Sequence, residues 1–254
     1  MNFLRTLLAL LLLGSAGAAL AAPESSTLLD SLVALAPDVS IEALQHALDA
    51  RDCAVASGAA LASSRLAVID YSRPSTERRL WVFELAAKPR LLFTEHVAHG
   101  RGSGENHARA FSNVEGSHQT SLGLFRTAET YQGGNGYSLR LDGLEPGTND
   151  RARARAIVMH GAPYVEPALA QRQGRLGRSY GCPAVRREVA QSMIDTLRGG
   201  QLLFAYYPDT QWLARSPFLG CAAKSQLAAG AEPKAPDTAG PATVATANGP
   251  QTAR

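Results

Sequence analysis

The chain has 254 residues, with 25 Lys and Arg against 22 Asp and Glu, a net charge of +3 at pH 7 and 45% hydrophobic residues. That length supports one sizeable core with appendages, and the near-balance of charge excludes a polybasic nucleic-acid binder. Three cysteines are an odd count, so at least one thiol lies outside any intramolecular disulfide.

Residues 1–21 carry one charge, Arg5, then an apolar run at 7–13, then small residues ending Ala19-Leu20-Ala21. This order predicts a secretory signal peptide cleaved near Ala21, hence a periplasmic or secreted protein. The apolar run is too short for a bilayer of about 30 Å, which needs about 20 apolar residues. No later stretch approaches that length, so no integral membrane segment is expected after cleavage. Residues 22–60 read as a small helical cap. Leu28, Leu29, Leu32, Val33 and Leu35, then Ile41, Leu44, Ala47 and Leu48, recur at helical spacing, and Ser40 is placed to cap the second helix.

From residue 61 the period changes. Apolar or β-branched runs at 66–71, 80–85, 91–97, 122–127, 138–141, 156–160 and 202–207 are split by Gly, Pro, Ser and Asn clusters, which predicts a mainly β domain over 61–221 with short helices. Gly133-Gly134-Asn135-Gly136 lacks the Gly-Lys-Ser/Thr of a phosphate loop and reads as a hairpin turn. Within the β domain one helix is expected, at 186–197, with Val189, Met193, Ile194 and Leu197 on one face and Gly199-Gly200 as its stop. Residues 222–254 are Ala, Pro, Gly, Thr and Gln with few large apolar groups, and are expected to be disordered.

Chemistry concentrates at 155–185. A strand-like run delivers His160-Gly161, and a small-residue turn then delivers Ser179-Tyr180-Gly181-Cys182. Only a thiolate attacks, and a neighbouring imidazole that accepts its proton supplies it, so Cys182 is the candidate nucleophile and His160 its base. The order, His before Cys and close to it, disfavours papain-like chemistry. Arg178, Gly181 and a helix starting near 186 are each expected to favour the thiolate, while Ser179 is expected to support the turn. His96 and His99 are three apart on a strand and so face opposite ways, which argues against a metal site. With Cys182 reduced, Cys53 and Cys221 are the remaining pair; a disulfide and two unpaired thiols both stay open.

The Gly177-Arg178-Ser179-Tyr180-Gly181-Cys182-Pro183-Ala184 stretch resembles the YkuD-type murein L,D-transpeptidases, in the branch that reads Gly-Arg-Ser-x-Gly-Cys-Pro-Ala. Tyr180 stands where the wider family usually has a second His. The resemblance extends from about 61 to 206, through Val68-Ile69-Asp70-Tyr71-Ser72, Arg79-Leu80-Trp81-Val82, His99-Gly100-Arg101, Phe111-Ser112-Asn113 and Ser138-Leu139-Arg140-Leu141. It implies an L,D-transpeptidase-like β sheet fold, no cofactor, and peptidoglycan stem peptides as partners, with oligomeric state open. It also implies that the Gly161 carbonyl orients His160, that the amides of Tyr180, Gly181 and Cys182 form an oxyanion hole, and that Arg178, Ser179, Arg155 and His99 line the substrate cleft. The implied reaction is Cys-dependent acyl transfer between stems, giving 3-3 or 1-3 cross-links. With water as acceptor the same site is an L,D-carboxypeptidase or amidase; a degenerate site would be a non-catalytic peptidoglycan-binding module.

Overall fold

The seven apolar runs become strands of one sheet, which gains an unexpected eighth at 184–185: β1 (Arg65–Asp70), β2 (Leu80–Glu84), β3 (Arg90–Glu95), β4 (Gly123–Gly133), β5 (Gly136–Gly143), β6 (Val158–Gly161), β7 (Ala184–Val185) and β8 (Leu202–Tyr206). The computed structural model describes residues 24–221, so the expected signal peptide and disordered tail lie outside the described residues. The chain divides after Leu219; Gly220 and Cys221 are the described part of a second unit that runs to Arg254.

In spatial order the sheet is β3-β2-β1-β8-β4-β5-β6-β7. β1 and β8 pair in parallel, Leu66 beside Leu202 through Asp70 beside Tyr206. Both are buried along their length apart from Arg65, as expected of strands covered on both faces. The helices α1 (Glu24–Leu35) and α2 (Ile41–Ala56) precede the sheet, and α2 packs on β1 and β8. Ser40 caps α2 by accepting from the Ala43 amide at 3.2 Å. Leu44, Ala47 and Leu48 are buried as their spacing predicts, each leucine contributing about 1.5–3 kcal/mol. Ile41, read as core-facing, is 59% exposed, because it opens the helix off the buried stripe.

The expected helix is α4 (Arg187–Leu197), which packs on β5 and β6. Two helices were not expected inside the β domain. In α3 (Pro167–Gln173) Glu166 caps and Pro167 opens seven residues, of which Ala170 is buried, too short a run for any periodic stripe. In α5 (Thr210–Arg215) Asp209 accepts from the amides of Gln211 and Trp212. Its Trp212 donates from Nε1 to the buried Glu145 carboxylate at 2.8 Å, and Glu145 also accepts from the Leu124 amide, so α5 is tied to β4. β4 runs on past its expected end to Gly133 through a register shift between Thr127 and Thr130, and Gly134-Asn135 form the two-residue hairpin turn to β5.

Candidate functional site

The turn at 179–182 is held on a template segment at 98–101. The Ser179 amide donates to the His99 carbonyl at 3.0 Å, the Arg101 amide to the Ser179 carbonyl at 2.8 Å, and the Ala98 amide to the Ala184 carbonyl at 2.8 Å. Gly181 sits at φ 120°, and a Cβ there would lie 2.7 Å from the Gln119 carbonyl oxygen, so no side chain fits. Thr120 stitches the two segments, accepting from the Gly100 amide at 2.9 Å and donating to the Gly181 carbonyl at 3.3 Å. Beyond the turn, β7 runs beside β6 with Ala184 opposite His160. The imidazole therefore comes from β6 and the thiol from the turn that leads into its neighbour β7.

Cys182 and His160 line one cavity of about 440 Å³. His160 is 3% exposed and its Nδ1 donates to the Gly161 carbonyl at 3.1 Å, which fixes the proton on Nδ1 and leaves Nε2 as a free lone pair. Cys182 is a free cysteine, 8% exposed. Its Sγ accepts from the Val158 amide at 3.4 Å and its thiol points at the Ala156 carbonyl, 3.7 Å away, rather than at His160. Burial pushes the thiol above its ordinary pKa and the imidazole below its own. The resting pair is thus neutral thiol and neutral imidazole, not the thiolate that the sequence led us to expect.

The arginines divide differently from expectation. Arg155, not Arg178, is the cation that counteracts the upward shift at Cys182. Its guanidinium is committed to the protein, donating to the Ser112 and Gln119 carbonyls at 2.7 Å each and to Ser121 Oγ at 2.6 Å. Both arginines line the cavity, and Arg178 donates to the Gly104 carbonyl at 3.0 Å and Glu105 Oε1 at 2.7 Å. Ser179 also lines it, but its hydroxyl works within the turn, accepting from the Gly181 amide at 3.1 Å and donating to the Cys182 carbonyl at 2.7 Å. The Gly181 amide is therefore already used, which removes it from the expected oxyanion hole and leaves the amides of Tyr180 and Cys182.

His99 is not a cleft residue. It is 0% exposed: its Nδ1 accepts from Arg79 Nη2 at 2.7 Å and its Nε2 donates to the Gly104 carbonyl at 3.3 Å. Burial, then the Arg79 charge, brings its pKa down to about 3, so the ring is neutral. Arg79, itself fully buried, also donates to the Val97 and Arg73 carbonyls and lies 5.1 Å from the centroid of the Tyr71 ring. It holds the template segment from below. Above the turn, Arg101 lies 4.5 Å from the Tyr180 ring centroid and donates to His118 Nδ1, and the His118 and Tyr180 rings are 4.6 Å apart. Tyr180 is 64% exposed on the cavity rim. His118, Thr120 and Tyr164 were not singled out in the sequence; their contacts are with segments far along the chain. Among the described residues no group of three or more His, Cys, Asp or Glu is placed to hold a metal, and no helix is long and apolar enough to cross a membrane.

Solved structures to which the chain is similar include an L,D-transpeptidase from Mycobacterium smegmatis, at 14% identity over 57% of this chain and 59% of that one, with a TM-score of 0.35. Others are the helical cell shape determining protein Pgp2 from Campylobacter jejuni, at 13% over 59% and 49% with a TM-score of 0.40, and Bd1075 from Bdellovibrio bacteriovorus, at 18% over 57% and 48% with a TM-score of 0.36. The chain spans roughly half to three-fifths of the length of these proteins. No curated protein matches it. The L,D-transpeptidase catalytic domain family YkuD_2 matches residues 35–206, from the end of α1 through β8 and with the whole site inside. By that match the chain belongs to the L,D-transpeptidase catalytic domain family.

Proposed function

We propose that the protein is a peptidoglycan L,D-transpeptidase that uses Cys182 as its nucleophile. The observation that carries this reading is a free thiol and an imidazole facing one cavity, the imidazole locked by Gly161 in the tautomer whose Nε2 can take a proton. Arrival of a donor stem moves the thiol proton to His160 Nε2. The sulfur attacks the carbonyl of an L,D peptide bond, and the oxyanion takes hydrogen bonds from the Tyr180 and Cys182 amides, each such donor being worth about 2.7–4 kcal/mol. The imidazolium then protonates the leaving amine, and a second stem's amine resolves the thioester. A neutral resting pair suits this sequence, since the proton transfer is coupled to substrate arrival and the thiol is not left open to oxidation.

Incubating the protein with purified muropeptides and reading the products by mass spectrometry tests activity and acceptor together. We expect cross-linked dimers and an acyl adduct on Cys182, both lost in Cys182→Ala while circular dichroism stays unchanged; cross-linking that persists in that variant sinks the assignment. Export by a signal peptide cleaved near Ala21 belongs to the same reading, as does a Cys53–Cys221 disulfide. Under denaturing, non-reducing conditions such a protein shows one thiol, at Cys182, and three free thiols would rule the bridge out.

A further inference from the structure

A second cavity, of about 420 Å³, adjoins the first and shares His160, Tyr164 and Asn135 with it. The base thus stands between two chambers, with the thiol in one. The second chamber is walled on one side by the start of α4, which packs hard against the residue after the base: a Cβ on Gly161 would lie 2.8 Å from Ala190 Cβ and 3.3 Å from Arg187 Cα. Two consecutive arginines open that helix and have different fates. Arg186 is taken by Glu95 in a two-point ion pair, Nε to Oε2 at 2.9 Å and Nη2 to Oε1 at 2.6 Å. Arg187 is exposed, lines the second chamber, and is held by no carboxylate or carbonyl among the described residues.

Reaction symmetry says what such a chamber must take. The nitrogen that leaves in the first half-reaction receives its proton from His160, and the nitrogen that attacks in the second gives its proton to His160. Both therefore occupy one place beside the ring. When a thioester at Cys182 is resolved, the C–N bond forms as the C–S bond breaks. The amine proton passes to His160 Nε2, and the sulfur departs with the bonding pair and is reprotonated from the imidazolium. The D-residue released when a terminal L,D peptide bond is cleaved carries an amine and a carboxylate on the same carbon, and an entering amine with a carboxylate on its own carbon presents the same head group. A guanidinium fork fits that carboxylate, and Arg186 is unavailable for it.

We propose that the second cavity is the subsite for the leaving and entering amino-acid head groups, and that Arg187 binds their carboxylate and selects amines that carry one. The proposal rests on the transpeptidase reading. To test it, the acyl-enzyme is loaded from a stem-peptide ethyl thioester, whose leaving group has no carboxylate, and is then offered D-alanine or D-alaninamide. The readout is the ratio of aminolysis rates for the two amines within each protein, which a general loss of turnover does not move. Comparing that ratio between variants also cancels their difference in amine basicity. We expect the ratio to fall about 10- to 100-fold in Arg187→Gln and by much less in Arg187→Lys. An unchanged ratio in Arg187→Gln overturns the assignment of Arg187 while leaving the transpeptidase reading standing. If no acyl mass ever appears on Cys182 in the unmodified protein, the transpeptidase reading itself falls, and this one with it.

Discussion

Two clusters of the same three residue types flank the turn at 179–182. Below it are Arg79, His99 and Tyr71; above it are Arg101, His118 and Tyr180. In each the arginine donates to Nδ1 of the histidine and lies over the tyrosine ring, at 5.1 Å below and 4.5 Å above. Their surroundings separate them. The lower three are at most 1% exposed, whereas Tyr180 above is 64% exposed. Burial raises the Tyr71 phenol and brings Arg79 down to about 10 and His99 to about 3, so in the lower cluster a single charge is kept and every polar atom around it becomes obligatory. In the upper cluster water can replace any partner that is lost. Identical pairings can thus be a structural anchor in one place and an adaptable rim in another.

The largest effect that would break the comparison is expected at Arg79. Arg79→Met leaves the Val97 and Arg73 carbonyls and His99 Nδ1 without their donor, and even at the low end of about 1–3 kcal/mol for each buried group left unpaired the loss should reach roughly 3 kcal/mol. Urea unfolding measures it; a loss below about 1 kcal/mol would mean that the lower cluster is no anchor. Next comes acid. The folded His99 titrates near 3 against an ordinary value of 6.5, so between those pH values the unfolded chain holds a proton that the folded one does not. Stability from this residue is therefore complete above pH 6.5 and declines as pH falls toward 3. His99→Asn, whose amide oxygen still accepts from Arg79, should flatten the fall of melting temperature over that window, and an identical slope would contradict the assignment. The smallest effects belong above the turn. Tyr180→Phe keeps the ring under Arg101, so stability should change by less than about 0.5 kcal/mol and most activity should survive. Activity lost as completely as in Cys182→Ala would show that the phenol has a chemical task and that the rim is not adaptable.

The long elements, and the thiol and imidazole that line one cavity, were readable from the sequence because their signals are local. β1, β2 and β8 are runs of large apolar residues, α2 follows a capping serine, and Cys182 and His160 sit in short motifs. What escaped was short or non-local. α3 and α5 have seven and six residues, and β7 is two buried residues at the end of the stretch that carries Cys182. The surroundings of His99 depend on an arginine 20 positions away in the chain, and those of Tyr180 on a histidine in a separate loop, so neither burial nor exposure could be inferred from their neighbours. The same holds for Arg155, which lines the cavity as expected but whose hydrogen bonds within the protein have no local signal. Its partners at 112, 117, 119 and 121 become neighbours only when the fold closes.

The sheet order has a consequence for how the molecule assembles. Strands β1 to β3 and β4 to β7 form two runs of neighbours, and the strand that lies between them is β8, the last to be synthesised. It pairs in parallel with β1, the first strand, and antiparallel with β4. Until residues 202–206 are available, β1 and β4 each have an unpaired edge where β8 will lie, and pairing β8 with β1 requires closing a loop of more than a hundred residues. Non-local pairing of this kind makes for slow folding, in the millisecond-to-second range or beyond, with the final strand acting as a latch. A ribosome-bound or truncated chain lacking β8 should therefore remain open and protease-sensitive, and become resistant in a single late step when that strand inserts.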